Sequence, residues 1–200
     1  MTIQEPVTAR PAGRPRSEKA ERAIIEATLD LVGDGMGVAE LSIEAIASRA
    51  GVGKTTIYRR WSNKEELVAD ALATLKAPLP PLGGESVRDD LITLLRAMRE
   101  DKGRSRTRCV MNVMMSDADR YPALMERFQK VAIEPRKEAM REVLRRGIRT
   151  GELRADLEVE MGLAILSGTM IWYTKWAPPG DLPADLPERI VDHVLPGFAA

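Results

Sequence analysis

The stretch "ASRAGVGKTTIYRRWSNKEEL", Ala47–Leu67, decides how the chain is read. Two kinds of chemistry compete for it. Gly53, Lys54 and Thr55 match the end of a phosphate-binding loop, in which backbone N–H groups and a lysine cradle a nucleotide. That loop needs a second glycine five positions earlier, where this chain has Ser48. It also has to follow a strand, whereas the preceding "SIEAIASRA" places Ile43, Ile46, Ala47 and Ala50 at helical spacing. Both requirements fail. The competing reading is a helix-turn-helix: Ser42–Ala50, a turn at Gly51–Gly53, and a second helix from Lys54 to Arg60.

Charge supports the second reading. The 200 residues hold 30 Lys and Arg against 30 Asp and Glu, so the chain as a whole is neutral. That excludes a uniformly basic nucleic-acid binder but not a local basic patch. Between Ala45 and Lys64 stand Arg49, Lys54, Arg59, Arg60 and Lys64, with no acid among them. A surface of that kind releases counterions from a phosphate backbone. Ile57 and Trp61, four apart, should face inward, leaving Lys54, Thr55, Thr56, Tyr58 and Arg59 on the other faces. Lys and Arg can bond guanine in the major groove, and Thr can meet a thymine methyl or a phosphate. Lys64, in the first turn of the next helix, opposes the helix dipole. It is explained if that helix end and Lys64 hold a phosphate together. A short basic helix alone would be a solvated surface; its place in the whole pattern points to DNA. Ser42, Gly53 and Arg60 complete the candidate contacts, with Arg14 and Arg16 from the N-terminal arm.

Outward from this centre the chain reads as helices. Residues 1–16, rich in Pro, Gly and Arg, form an arm carrying Arg10, Arg14 and Arg16. Ser17 can cap a helix with Ile25, Thr28, Leu29 and Val32 on one face, ended by "GDGMG". Ser42 caps the next helix, and Gly51 ends it in the left-handed conformation. Asn63 caps a fourth helix with Glu66 as capping-box partner and Val68, Ala71, Leu72 and Leu75 buried. This places a DNA-binding domain at 17–76. "APLPPLGGES", residues 77–86, is the linker to a helical domain over 87–200. There the stripes are Leu91, Leu94, Leu95 and Met98; Val110, Val113 and Met114; Leu124, Phe128 and Val131; and Met140, Val143 and Leu144. Pro135 should kink or break its helix. Met161–Tyr173 is apolar nearly all round and should be buried on most sides. "WAPPGDLPADLP" is a loop, and Ile190, Val191, Val194 and Leu195 form a last amphipathic helix stopped by Pro196. No alternating strand pattern occurs, so the fold is all-α.

Other classes find little support. One cysteine, Cys109, makes no internal disulfide, and with a single histidine, His193, there is no zinc ligand set. Cys109 reads as a small buried hydrophobe and His193 as a surface hydrogen-bonding group. "KGRSRTR", Lys102 to Arg108, reads as a solvated turn. No nucleophilic triad can be assembled, so neither an enzyme nor a cofactor is expected. The N-terminus has no apolar core of a signal peptide, and no apolar run reaches the roughly 20 residues of a membrane span. A cytoplasmic protein without membrane contact is expected.

The stretch "AERAIIEATLDLVGDGMGVAELSIEAIASRAGVGKTTIYRRWSNKEELVADAL" resembles the DNA-binding domain of the TetR family of bacterial transcriptional regulators, over about residues 18–76. The resemblance implies three N-terminal helices carrying the helix-turn-helix, a linking fourth helix, and a homodimer whose two recognition helices enter successive major grooves. It places Lys54, Thr55 and Thr56 near base edges or phosphates, and Tyr58 and Lys64 on the DNA backbone. Gly53 departs from it, since Ser is frequent there; Gly caps only a few tenths of a kcal/mol less well. "GELRADLEVEMGLAILSGTMIWY" is similar to the penultimate segment of many members, whose last two helices form a four-helix dimer interface. Ala164, Gly168, Ile190, Val191, Val194 and Leu195 suit that use and equally suit intrachain core. An effector pocket lined by Met98, Met111, Met114, Met115, Phe128, Trp172 and Tyr173 would exploit adaptable methionines; the same residues can simply fill the core. The expected function is a ligand-responsive repressor that binds a near-palindromic double-stranded operator as a homodimer and answers to a small-molecule effector. An activator of the same family, or a Gly-Lys-Thr nucleotide-binding protein, are the alternatives.

Overall fold

The computed structural model describes residues 14–99, 119–176 and 182–200. The described residues form α1 (Arg14–Gly33), α2 (Ile43–Ala50), α3 (Lys54–Tyr58), α4 (Lys64–Ala73) and α5 (Val87–Arg99), then α6 (Pro122–Phe128), α7 (Glu134–Thr150), α8 (Val159–Trp176) and α9 (Leu186–Val194). Among them there is no strand; the only ladder contact is an isolated antiparallel bridge between Leu153 and Ala199. The fold is all-α, with an N-terminal helix-turn-helix followed by a larger helical part.

Two apolar cores organise it. The first gathers Ile24, Leu29 and Val32 of α1, Ile46 of α2, Ile57 of α3, and Leu67, Val68 and Leu72 of α4. It also takes in Leu124 and Phe128 of α6 and Ala132 beyond it. The second joins α5, α7, α8 and α9 through Leu91, Leu95, Val143, Leu144, Leu166, Met170, Ile190 and Val191. Helix α6 thus belongs, by its packing, with the N-terminal helices. The non-helical stretch through residues 77–86 is tied down at both ends. The Arg136 guanidinium donates to the Ala77 carbonyl. The buried Asp90 carboxylate accepts from Gly83 N–H at 2.9 Å, Gly84 N–H at 3.1 Å and Arg146 at 2.6 Å. Its charge is therefore buried with its partners, the condition under which a buried carboxylate is tolerated.

Three expectations are corrected. The first helix begins at Arg14, so Ser17 lies inside it and is not its cap; Pro15 is compatible because a first-turn residue needs no intrahelical N–H bond. The helix ahead of Pro135 is not interrupted. It widens into a π-helical turn over Gln129–Ile133, just ahead of Pro135, and continues into α7; the wider turn takes up the missing proline donor. Helix α8 is not buried on most sides. Gly162, Leu163, Leu166 and Met170 face the second core, while Met161, Ile165, Ile171, Trp172 and Trp176 are exposed. Among the described residues, helices α5, α7 and α9 pack against α8. At the other end, α9 stops at Val194, ahead of Pro196, which falls in a closing 3-10 turn, Leu195–Gly197.

Candidate nucleic-acid interface

Local chemistry builds the helix-turn-helix. The Ser42 hydroxyl accepts from Ala45 N–H at 3.1 Å and so satisfies one of the orphan donors of α2. Gly51, at φ +66°, ends α2 in the left-handed region, which costs an L side chain about 1–2 kcal/mol. Val52 N–H closes back on the Ala47 carbonyl at 3.0 Å. Gly53 caps α3 without a side-chain bond. Beyond α3, Asn63 Oδ1 accepts from Glu66 N–H at 2.7 Å, while the Glu66 carboxylate accepts from Ser62 N–H at 2.8 Å. The box closes one residue further out than its usual form, on the residue before the cap.

Ile57 and Trp61 pin the recognition helix from beneath, both buried in the first core. Lys54, Thr55, Tyr58 and Arg59 are exposed and Thr56 half-buried. The helix is shorter than the expected Lys54–Arg60: it ends at Tyr58, and Arg60 and Trp61 N–H groups both bond the Ile57 carbonyl. The Arg60 guanidinium folds back on the Thr56 carbonyl at 2.7 Å. The indole N–H of Trp61 donates to Asp70 on α4 at 3.0 Å.

The basic surface carries acids that lie outside the window Ala45–Lys64. Arg49 meets Asp34 at 3.2 Å, Lys54 meets Glu44 at 2.7 Å, and Arg60 approaches Glu21 at 3.9 Å. The hydrogen bond from Lys54 holds the Glu44 carboxyl below its usual range and raises the Lys54 ammonium in turn. Arg59 has no ion pair among the described residues. Lys64 is placed otherwise than expected. Its ammonium donates to the carbonyls of Val38 at 2.7 Å and Leu41 at 2.9 Å, tying α4 to the loop between α1 and α2. Here it is a tether inside the protein rather than a free cation at a phosphate site.

Sequence reasoning missed a clasp beneath this surface. Arg127 of α6 makes two parallel bonds to the Asp70 carboxylate, both 2.9 Å, and lies 3.1 Å from Glu66. The Asp70 contact raises the Arg127 guanidinium above its ordinary value. One acid on α4 therefore joins the end of the recognition segment, through Trp61, to α6. The signal was present: Asp70 is an acid set among Leu67, Val68, Ala69, Ala71 and Leu72, all of them buried.

The remaining candidates are dispersed. Arg14 and Arg16 fall within α1. Arg10, Lys102 to Arg108, Cys109, Met111, Met114 and Met115 lie outside the described residues. Of the proposed pocket, Met98 and Tyr173 sit at the edge of the second core, whereas Phe128 is buried in the first. Trp172 is exposed, edge-on to Tyr173 with ring centroids 5.1 Å apart. Those four are not gathered into one wall. Of the proposed interface, Ala164 and Gly168 are exposed, Ile190 and Val191 are buried within their own chain, and Val194 and Leu195 are half-buried. His193 is exposed with Nδ1 2.7 Å from the Arg189 carbonyl. No group of metal-ligating side chains forms among the described residues, and none of their helices is long and apolar enough to cross a membrane.

Comparison with known proteins agrees with this geometry. Residues 24–71 match the model of bacterial regulatory proteins of the tetR family, and residues 81–194 match that of a tetracyclin repressor-like C-terminal domain. The chain is 31% identical over 163 residues to the HTH-type transcriptional regulator YdeS of Bacillus subtilis, covering 80% of each. It is 37% identical over 89 residues to the DNA-binding transcriptional repressor TetR of Mycobacteroides abscessus, covering 42% of this chain and 45% of that one. The solved structure of the flavonoid-responsive regulator FrrA aligns with TM-score 0.68 at 19% identity, over 90% of this chain and 95% of that one. That last likeness concerns the fold.

Proposed function

Because the chain belongs to the TetR family of bacterial helix-turn-helix transcriptional regulators, we propose that it is a ligand-responsive repressor that binds a near-palindromic operator as a homodimer. The observation that carries the reading is the recognition helix. Ile57 and Trp61 fix it from beneath, and Lys54, Thr55, Tyr58 and Arg59 stand exposed at its surface. A helix so presented can enter a major groove with its N-terminal residues at the base edges. Two copies would read half-sites roughly 34–36 Å apart.

The exposed apolar face of α8 supports the dimer. Met161, Ile165, Ile171, Trp172 and Trp176 form a patch that a monomer would leave in water. Repression and effector response are drawn from relatives: one is named a repressor, and a protein of like fold is named flavonoid-responsive. An effector acts only through different affinities for the two forms of the protein; a coupling of about 1–3 kcal/mol weakens operator binding some 5–150-fold. The Arg127–Asp70–Trp61 clasp offers a physical route, since a shift of α6 would pull on the residue that closes the recognition segment.

The test is selection of genomic DNA fragments by the purified full-length protein at a stated salt concentration, read by sequencing. An enriched inverted repeat beside a small set of genes is expected, and the chemistry of those genes then narrows the effector. Uniform recovery of fragments at low salt would remove the operator-binding reading.

A further inference from the structure

Lys54 opens the recognition helix, the end that approaches bases and phosphates in this mode of docking. Its ammonium lies 2.7 Å from a carboxylate oxygen of Glu44, in the first turn of α2. We propose that Glu44 is a specificity-determining residue: it occupies Lys54 in the free protein and so suppresses binding to DNA of arbitrary sequence. The proposal rests on the DNA-binding reading above and adds to it a residue that opposes binding.

The physical argument starts from exposure. The Lys54 and Glu44 side chains are 53% and 65% accessible, so the pair remains hydrated and contributes little to folding. A phosphate can therefore displace the carboxylate. The displaced Glu44 then stands, unneutralised, beside a polyanion. Contact between Lys54 and a phosphate is thus offset by loss of the Glu44 bond and by repulsion of its charge. The penalty falls on sequence-independent binding, which is almost entirely electrostatic. Contacts to base edges from Thr55, Tyr58 or Arg59 do not draw on Lys54, and Arg59 has no competing acid among the described residues. The same arrangement recurs at the flanks, with Asp34 on Arg49 and Glu21 near Arg60. Glu44 has no evident packing duty that would confuse the test: it is exposed, and the N-terminus of α2 is already capped by Ser42.

The experiment measures binding of the full-length protein to a random-sequence duplex, by anisotropy, across a salt series. The proteins are wild type, Glu44→Gln, Lys54→Gln and the double variant. Glu44→Gln should bind random DNA roughly three- to tenfold more tightly near about 0.1 M salt, with the slope of log K against log salt steeper by about 0.9. In the Lys54→Gln background the same change should give a clearly smaller gain, because only the repulsion of the Glu44 charge is left to remove and no cation is freed. Unchanged or weaker binding by a Glu44→Gln protein with wild-type thermal unfolding would overturn the proposal. So would a gain that persists undiminished without Lys54, since Glu44 would then act by general repulsion. If wild type shows no salt-dependent binding to any duplex, the DNA-binding reading itself fails, a result distinct from either of these.

Discussion

Lys64 illustrates how one residue type supports two structures. A cation in the first turn of a helix opposes the macrodipole, and a bound phosphate would relieve that conflict. The structure relieves it by another route, with two backbone carbonyls, Val38 and Leu41, taking the ammonium. We expect Lys64→Ala to lower unfolding stability in urea by about 1.5–3 kcal/mol, the range for hydrogen bonds to a charged group. The salt slope of DNA binding should stay within one contact of wild type. A variant of undiminished stability whose slope falls by about one would restore the phosphate role. The inward pair Ile57 and Trp61 was legible because four-residue spacing defines a helix face. The partners of the cations were not. Glu44 lies just outside the basic window, and Val38 and Leu41 lie 26 and 23 residues before Lys64, so only the folded chain brings them together.

At the level of elements, the stops and starts written in single residues were readable: Ser42 and Asn63 as caps, Gly51 as a left-handed stop. Helical periodicity also identified the stripe of α4. It could not say which core a stripe enters. Leu124 and Phe128 form a proper helical face, yet α6 lies against α4 with the N-terminal helices. What fixes it there includes Asp70, which accepts from both Arg127 and Trp61. Removing Asp70 should therefore cost more than removing Arg127. Asp70→Ala strands the buried indole N–H as well as the guanidinium, at about 1–3 kcal/mol. Arg127→Ala forfeits a pair that is partly exposed, at about 1 kcal/mol or less. A double-mutant cycle by urea unfolding should show a coupling near 1 kcal/mol between them. Strict additivity would mean the two charges are neighbours without a shared function in holding α6.

For the whole molecule, the deciding feature is the outer side of α8. Met161, Ile165, Gly168, Trp172 and Trp176 follow one another at four-, three-, four- and four-residue steps, with Ala164 and Ile171 beside them; all are exposed, Trp172 54% and Trp176 74% accessible. Such a seam is the pattern by which one helix packs along another. An all-round apolar helix announces burial but cannot distinguish burial by its own chain from burial by a second copy, so the sequence left open what covers the face of α8 that the single chain leaves exposed. Gly168 separates the two. Among the described residues nothing lies within 4 Å of where a Cβ would stand at Gly168, and Arg has a higher helix propensity than Gly. Gly168→Arg should therefore leave the monomer fold intact while placing a charge in the seam. Sedimentation equilibrium should show wild-type dimers and Gly168→Arg monomers with the same helical content. Operator affinity should then fall by about 10²-fold or more, because the second half-site no longer benefits from linkage to the first. A Gly168→Arg protein that dimerises as tightly as wild type would place the interface elsewhere and leave the exposed face of α8 for a different partner.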